Sequence, residues 1–192
     1  MKPDLTETEK ARQGFLYRFD AQLTEERKRA QQIVFEYNHF KPSDIEQKAI
    51  LLKRLLGAIG ENCIIEPPFY CDFGHNIFLG NDVFANVNLV ILDCAKVSIG
   101  DDVLIAPNVG IYTAKHPIDP KQRKQKYEYA LPITIGNNVW IGAGASILPN
   151  VTIGDNSIIG AGSVVTKSIP PDVIAVGNPC KVIKKLSCKE CS

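Results

Sequence analysis

From Ile135 onward, one position in six carries a β-branched aliphatic residue: Ile135, Ile141, Ile147, Ile153, Ile159 and Val165. Neither a helix nor an ordinary strand has that period, since their side chains recur at about 3.6 and about 2 residues. Four residues after each stands Val139, Ala145, Val151, Ser157, Ser163 or Ile169, most of them small. Gly136, Gly142, Gly154 and Gly160 follow their aliphatic partners directly, while Leu148 and Thr166, eighteen residues apart, break that rule. The full period is therefore three hexapeptides. Each hexapeptide reads as a short strand and a turn, and three of them close a triangular coil with the aliphatic residues inside. Coils of this kind stack about 4.8 Å apart through backbone hydrogen bonds, which is a solenoid. Glycine is expected where the turns need unusual dihedrals.

The same phase appears at Ile99, Ile105 and Ile111, so the thirty-six residues from Ile99 to Ile135 read as two whole coils. An earlier series, Phe73, Leu79, Ala85 and Ile91, runs two residues out of phase with Ile99 and predicts an irregular turn at 94–96. Between His116 and Pro132 the repeat stops. That stretch holds three prolines and four basic residues of its own and must project as a loop. Long loops in compact domains are usually functional.

Residues 1–57 read as a helical segment, 58–183 as the β-helix with its loop at 116–132, and 184–192 as a tail. Ser43-Asp44-Ile45-Glu46 has the form of a capping box. After it, Ile45, Ala49, Leu52 and Leu56 recur at helical spacing and Gly57 is a natural stop. A second helix is expected over 24–38, with Ala30, Ile33, Val34 and Tyr37 on one face. These short amphipathic helices cannot bury their apolar sides alone, so they are expected to pack on the coils.

Charge narrows the function classes. With 22 basic and 21 acidic residues, nothing points to phosphate-driven nucleic-acid binding. No apolar stretch reaches the roughly 20 residues of a membrane span, and residues 1–15 lack the apolar core of a signal peptide. Cytoplasm is the expected location. Of six cysteines, Cys188 and Cys191 form a C-x-x-C that supplies only half of a tetrahedral zinc site. Free thiols, a solvated tail and no metal are expected.

Several segments in combination are identified as those of hexapeptide-repeat acyltransferases: Ile-Gly-Asn-Asn-Val-Trp-Ile-Gly (135–142), Val-Thr-Ile-Gly-Asp-Asn (151–156), Ile-Gly-Ala-Gly-Ser-Val-Val-Thr-Lys (159–167) and Gly-Asn-Pro-Cys (177–180). Tyr-Asn-His (37–39), Glu-Pro-Pro-Phe-Tyr-Cys-Asp-Phe-Gly (66–74) and Tyr-Thr-Ala-Lys-His-Pro-Ile-Asp (112–119) resemble the sugar O-acetyltransferases among them: maltose and galactoside acetyltransferases and the nodulation acetyltransferases. The resemblance implies a mainly β fold, a left-handed parallel β-helix. It also implies a homotrimer with active sites between subunits, and acetyl-CoA as co-substrate.

Acetyl transfer from a thioester to an alcohol needs a base, and histidine suits the task because its ordinary pKa lies near neutrality. The chain has three: His39, His75 and His116. His39 belongs to the helical segment and His75 to a turn, whereas His116 opens the projecting loop and matches the family's catalytic histidine. The resemblance further places Asp20, Arg27, Asp72, Asn86 and Asp93 against the sugar, with Cys94 as the alternative to Asp93. It places Trp140, Ala143, Ala161, Thr166, Lys167, Lys181 and Lys184 against coenzyme A. The expected activity is acetyl-CoA-dependent O-acetylation of maltose, glucose or a galactoside, at the 6-hydroxyl. The alternative is a xenobiotic or serine acetyltransferase on the same scaffold. A zinc carbonic anhydrase on such a helix would need three histidines converging on one metal, for which His39 lies too far outside the coils.

Overall fold

A computed structural model describes residues 5–186; the Cys188–Cys191 pair lies outside them. Three helices come first: α1 (Glu7–Arg12), α2 (Ala21–His39) and α3 (Ile45–Leu55). The capping box sits on α1, not on α3. Thr6 Oγ1 accepts from Glu9 N at 3.2 Å while Glu9 Oε2 accepts from Thr6 N at 2.8 Å. At α3 the cap is Asp44 without a side-chain cap bond. Its carboxylate turns back instead, accepting from Lys41 N at 3.3 Å, so the motif at 43–46 is spent on closing the preceding turn.

The expected face of α2 is buried: Ala30, Ile33, Val34 and Tyr37, joined by Leu23. The tip of this face explains Tyr37-Asn38. The Tyr37 hydroxyl donates to the Ile65 carbonyl. Asn38 both donates to Phe69 O and accepts from Phe69 N, each at 2.9 Å, which docks the helix onto the first coil. On α3 the buried row is Leu51, Leu52, Leu55 and Leu56. Ile45 stands 73% exposed and Ala49 is exposed as well, so only half of the expected row faces inward.

The coils follow. The first holds β1 (Ala58–Ile59), β2 (Ile64–Ile65) and β3 (Phe69–Cys71); the second β4 (Ile77–Leu79), β5 (Phe84–Ala85) and β6 (Leu89–Leu92). The third holds β7 (Val97–Ile99), β8 (Leu104–Ile105) and β9 (Gly110–Tyr112). The loop then carries β10 (Ala114–Lys115), α4 (Pro120–Lys124) and β11 (Tyr129–Ala130), with β10 and β11 antiparallel. Coiling resumes with β12 (Ile133–Ile135), β13 (Trp140–Ile141) and β14 (Ser146–Ile147), then β15 (Thr152–Ile153), β16 (Ile158–Ile159) and β17 (Val164–Val165). A last pair, β18 (Val173–Val176) and β19 (Lys181–Lys185), closes the stack in antiparallel fashion. The strand therefore carries two residues past 183, into the expected tail.

Three parallel faces result: β1-β4-β7-β12-β15, β2-β5-β8-β13-β16-β18 and β3-β6-β9-β14-β17. We call them faces one, two and three. The six-residue series lines the axis, with Ile135, Ile141, Ile147, Ile153, Ile159 and Val165 at most 1% exposed.

Register corrects the sequence reading at one point. Ile99 pairs directly with Ile135, so the intervening thirty-six residues are one coil plus an eighteen-residue detour, not two coils. The expected phase slip does occur after Ile91, and it recurs one coil below. Cys71, not Phe73, is the residue stacked under Ile91 and Ile111, which leaves 72–76 as an earlier slip. Both slips and the loop leave the prism at the edge between faces three and one. All three irregularities are therefore stacked on one edge.

Glycine also plays a different part from the one expected. The left-handed turn positions belong mainly to Asn62, Asp82, Asn88, Asp102, Asn108, Asn138 and Asn156. Their side chains ladder between coils, as in Asn138 Nδ2 to Asn156 Oδ1 at 3.1 Å. Gly136 is needed for closeness. A Cβ there would lie 2.1 Å from Asp155 Oδ1, the oxygen that accepts from Asn137 N at 2.7 Å.

Candidate active site

The slip edge gathers the charged residues. Arg27 Nη2 on α2 reaches Asp72 Oδ1 at 2.7 Å, and its guanidinium lies 5.8 Å from the Phe19 ring centroid, which stacks on Phe73. Asp93, in the slip above, is completely buried. Its Oδ1 accepts from Asp72 N at 3.0 Å and Phe73 N at 2.9 Å. Burial foremost, with the Asp72 charge beside it, pushes the Asp93 carboxyl up to about 6 against those two amide bonds. Cys94 Sγ lies 3.5 Å from Asp72 Oδ2. Burial, reinforced by the Asp72 charge, pushes the Cys94 thiol well up, which keeps it a neutral thiol and removes it as a nucleophile.

From Cys94 the contacts run on to the loop. Cys94 meets Tyr17, whose hydroxyl lies 3.3 Å from Glu128 Oε2. Burial pushes the Tyr17 phenol up, so it stays protonated and donates. Tyr17 and Glu128 also exchange both backbone bonds at 2.9 Å. Glu128 Oε1 in turn stands 3.9 Å from His116 Nδ1, with His116 65% exposed. One continuous chain of side chains thus joins Arg27 to His116: Asp72, Cys94, Tyr17, Glu128. The sequence reading found its two ends and missed Tyr17 and Glu128, which are far apart in sequence and carry no motif of their own.

The remaining expected residues stand outside this chain of contacts, although Asp20 lines one cleft with Phe19 and Glu128. Asp20 caps α2, its Oδ1 accepting from Leu23 N at 2.8 Å. His39 packs against Phe35 with the two rings tilted, and its Nδ1 meets the Phe35 carbonyl at 2.7 Å, a helix-end arrangement. His75 is partly buried beside Phe73, and burial lowers its pKa. Among the described residues no three of His, Cys, Asp or Glu are grouped as metal ligands. No described helix is long and apolar enough to cross a membrane. Cys63, Cys71, Cys94 and Cys180 are free thiols.

Asn86 and much of the coenzyme A set lie on a different edge, between faces two and three. Asn86 N bonds Ile105 O, Ala106 N bonds Ile141 O and Gly142 N bonds Ile159 O. These bonds stack Asn86, Ala106, Gly142 and Gly160 in one column beside Ala143 and Ala161. Here the Asn ladder stops: Asn88 and Asn108 give way to Gly144 and Gly162, still left-handed, where an added Cβ would meet nothing within 4 Å. The upper edge is therefore bare of side chains at these two turns; we call it the groove edge. Trp140 stands outward on the adjoining face two, 52% exposed, in register with Leu104 and Ile158. Lys181 and Lys184 lie on β19 of that face. Thr166 and Lys167 follow β17 and stand on the slip edge.

Comparison with known proteins decides the family. Residues 132–167 match the bacterial transferase hexapeptide (six repeats) and residues 10–60 the maltose acetyltransferase hexapeptide capping motif. The galactoside O-acetyltransferase of Escherichia coli is 48% identical over 181 residues, 94% of this chain and 89% of that one. This chain belongs to the maltose and galactoside family of hexapeptide-repeat acetyltransferases. Two solved structures align with TM-scores of 0.94 at 47% identity: a galactoside acetyltransferase in complex with coenzyme A and a maltose O-acetyltransferase from Clostridium difficile. The first alignment covers 97% of this chain and 94% of that one, the second 95% and 98%. Both family matches fit the architecture, since the capping motif spans α2 and α3, which seal the first coil, and the repeat match spans the regular coils.

Proposed function

We propose that the chain transfers the acetyl group of acetyl-CoA to a sugar hydroxyl, in a cleft where the slip edge of one copy meets the groove edge of the next. The observation that carries this reading is the division of the site. His116 and Asn86 stand at opposite sides of face three, separated by at least the four residues of β6, about 13 Å at about 3.3 Å per residue. The two residues thus stand on different edges of one chain; two copies around a threefold axis would bring one of each together, and a closed homotrimer would supply three such clefts.

In that cleft His116 is the general base. With Nδ1 turned to Glu128, Nε2 is the nitrogen free to take the proton from the acceptor hydroxyl, here the 6-hydroxyl of maltose, glucose or a galactoside. The alkoxide oxygen bonds the thioester carbon, and the Asn86 amide from the neighbouring copy donates to the developing oxyanion. Collapse breaks the carbon–sulfur bond, and the departing thiolate recovers the proton from His116. Arg27 and Asp72 hold further sugar hydroxyls, with Asp20 at the mouth of the cleft. The pantetheine arm lies along the groove edge beside Ala143, Ala161 and Trp140. Thr166, Lys167, Lys181 and Lys184 face the nucleotide phosphates.

The test follows thiol release from acetyl-CoA across sugars, amines and serine. Turnover on a hexose or hexoside, with the acetyl ester at its primary hydroxyl, supports the reading. Turnover on serine or a xenobiotic amine with none on any sugar moves the chain to the other branch of the fold.

A further inference from the structure

Asp93 is an unusual residue for the place it occupies. Its side chain is wholly buried, yet Oδ2 has no hydrogen-bond partner among the described residues. A buried carboxylate with a bare oxygen is costly, and the geometry shows what the other oxygen does. Oδ1 grips two consecutive amides, those of Asp72 and Phe73, one coil below. Asp93's own carbonyl accepts from Asn76 Nδ2 at 2.7 Å, so the whole slip at 72–76 hangs from this residue.

The device is repeated one coil higher. Thr113 is fully buried at the root of the loop. Its Oγ1 donates to Leu92 O at 2.6 Å and accepts from Ala95 N at 3.0 Å, which brackets Asp93 on both sides. Thr113 O then accepts from Leu131 N at 2.9 Å, on the returning arm of the same loop. His116 lies three residues beyond Thr113 and Glu128 three before Leu131. Two side chains, one per coil, thus tie the loop with the base to the slip with Asp72.

We infer that Asp93, together with Thr113, is a positioning residue that sets where Asp72 stands relative to His116, and does not itself touch the acceptor. This rests on the proposed acceptor site and deepens it: the stacked slips are a ruler between the group that takes the proton and the group that holds the acceptor. Preorganisation of this kind governs acceptor recognition and leaves the donor groove, on the other edge, untouched.

The experiment compares Asp93→Ala, Asp93→Asn, Thr113→Val and Thr113→Ser in the full chain, using whichever acceptor the parent turns over best. Asp93→Ala should raise the acceptor KM about tenfold or more, with the acetyl-CoA KM changed less than about twofold. Asp93→Asn keeps a carbonyl oxygen for both amides and should recover most of the loss. Thr113→Val should raise the acceptor KM several-fold, and Thr113→Ser should restore it. Hydrogen exchange at the amides of 72 and 73 should quicken in Asp93→Ala and not in Asp93→Asn. Equal rises in both KM values, an unchanged acceptor KM, or Asn as damaging as Ala would each overturn the inference. If Asp93→Ala does not fold, the Thr113 pair decides. An amine or serine as best acceptor would refute the sugar reading while the same KM comparison still judged the ruler.

Discussion

Glu128 Oε1 faces His116 Nδ1 at 3.9 Å while its Oε2 receives the Tyr17 hydroxyl at 3.3 Å. One carboxylate thus turns toward the proposed base and is itself held by a buried phenol. A small rotation of the exposed His116 ring completes an Nδ1–H to carboxylate bond, fixing the tautomer with Nε2 free. Glu128→Gln, which keeps the shape and removes the charge, should lower kcat about tenfold, and Glu128→Ala about a hundredfold. Both substrate KM values should move much less. Steady-state thiol release checks this, and an unchanged kcat in Glu128→Ala would remove Glu128 from the mechanism.

Asp93 gives a pH signature in stability. Its folded pKa, about 6, is raised above the ordinary 3.8, so the folded state binds this proton more tightly than the unfolded chain does. That contribution is fully present below about pH 4 and is lost as pH rises through about 6, a change on the order of 3 kcal/mol. Asp93→Asn carries no such charge. Its melting temperature relative to the parent should therefore be higher at pH 7.5 than at pH 4.5, as read by thermal denaturation at both values. A pH-independent difference would contradict the buried-charge description.

Gly162 separates groove from fold. Its φ of +67° is one that asparagine tolerates, as at Asn88 and Asn108 on the same edge, and an added Cβ meets no atom within 4 Å. Gly162→Asn should fold with a melting temperature within about 2 °C of the parent, since a surface change of this kind costs little. It should raise the acetyl-CoA KM about tenfold, because the new amide fills the proposed pantetheine groove. Thermal denaturation and donor-dependent kinetics together test it.

Gly136 should behave in the opposite way. Its Cβ would strike the Asp155 carboxylate 2.1 Å away, so Gly136→Ala forces either the coil spacing or the Asn137 amide bond to give. The expected loss is about 1–3 kcal/mol of stability, measurable by urea titration. Near-neutral behaviour would contradict the close-approach account of the repeat's glycines.

Much of the fold was legible because the repeat has one dominant cause: every sixth side chain must fill the axis, and Ile135 through Val165 do so without exception. The loop at 116–132 was legible for the converse reason. The count of coils between Ile99 and Ile135 was not, because a detour of eighteen residues has the length of one coil and leaves the phase unchanged. Likewise Phe73 shares a phase with Leu79 yet lies in a slip, since a two-residue insertion mimics continuity when its lower neighbours are not counted. The cap at 43–46 failed because a Ser-x-x-Glu string does not reveal that Asp44 will serve Lys41. Within the proposed site, His116, Asp72 and Arg27 were singled out through family motifs. Glu128, Tyr17 and Thr113 act through contacts 100 residues away or across coils, which no local pattern encodes.

The division of the site between two edges is tested most directly by subunit complementation. His116→Ala and Asn86→Ala chains, each inactive alone, are to be co-expressed and the mixed trimers assayed for thiol release with the best acceptor. With His116 and Asn86 drawn from neighbouring copies, random mixing in a closed trimer restores intact clefts in about a quarter of sites, and about a quarter of parent activity should return. Mixed trimers as inactive as either variant alone would contradict the account.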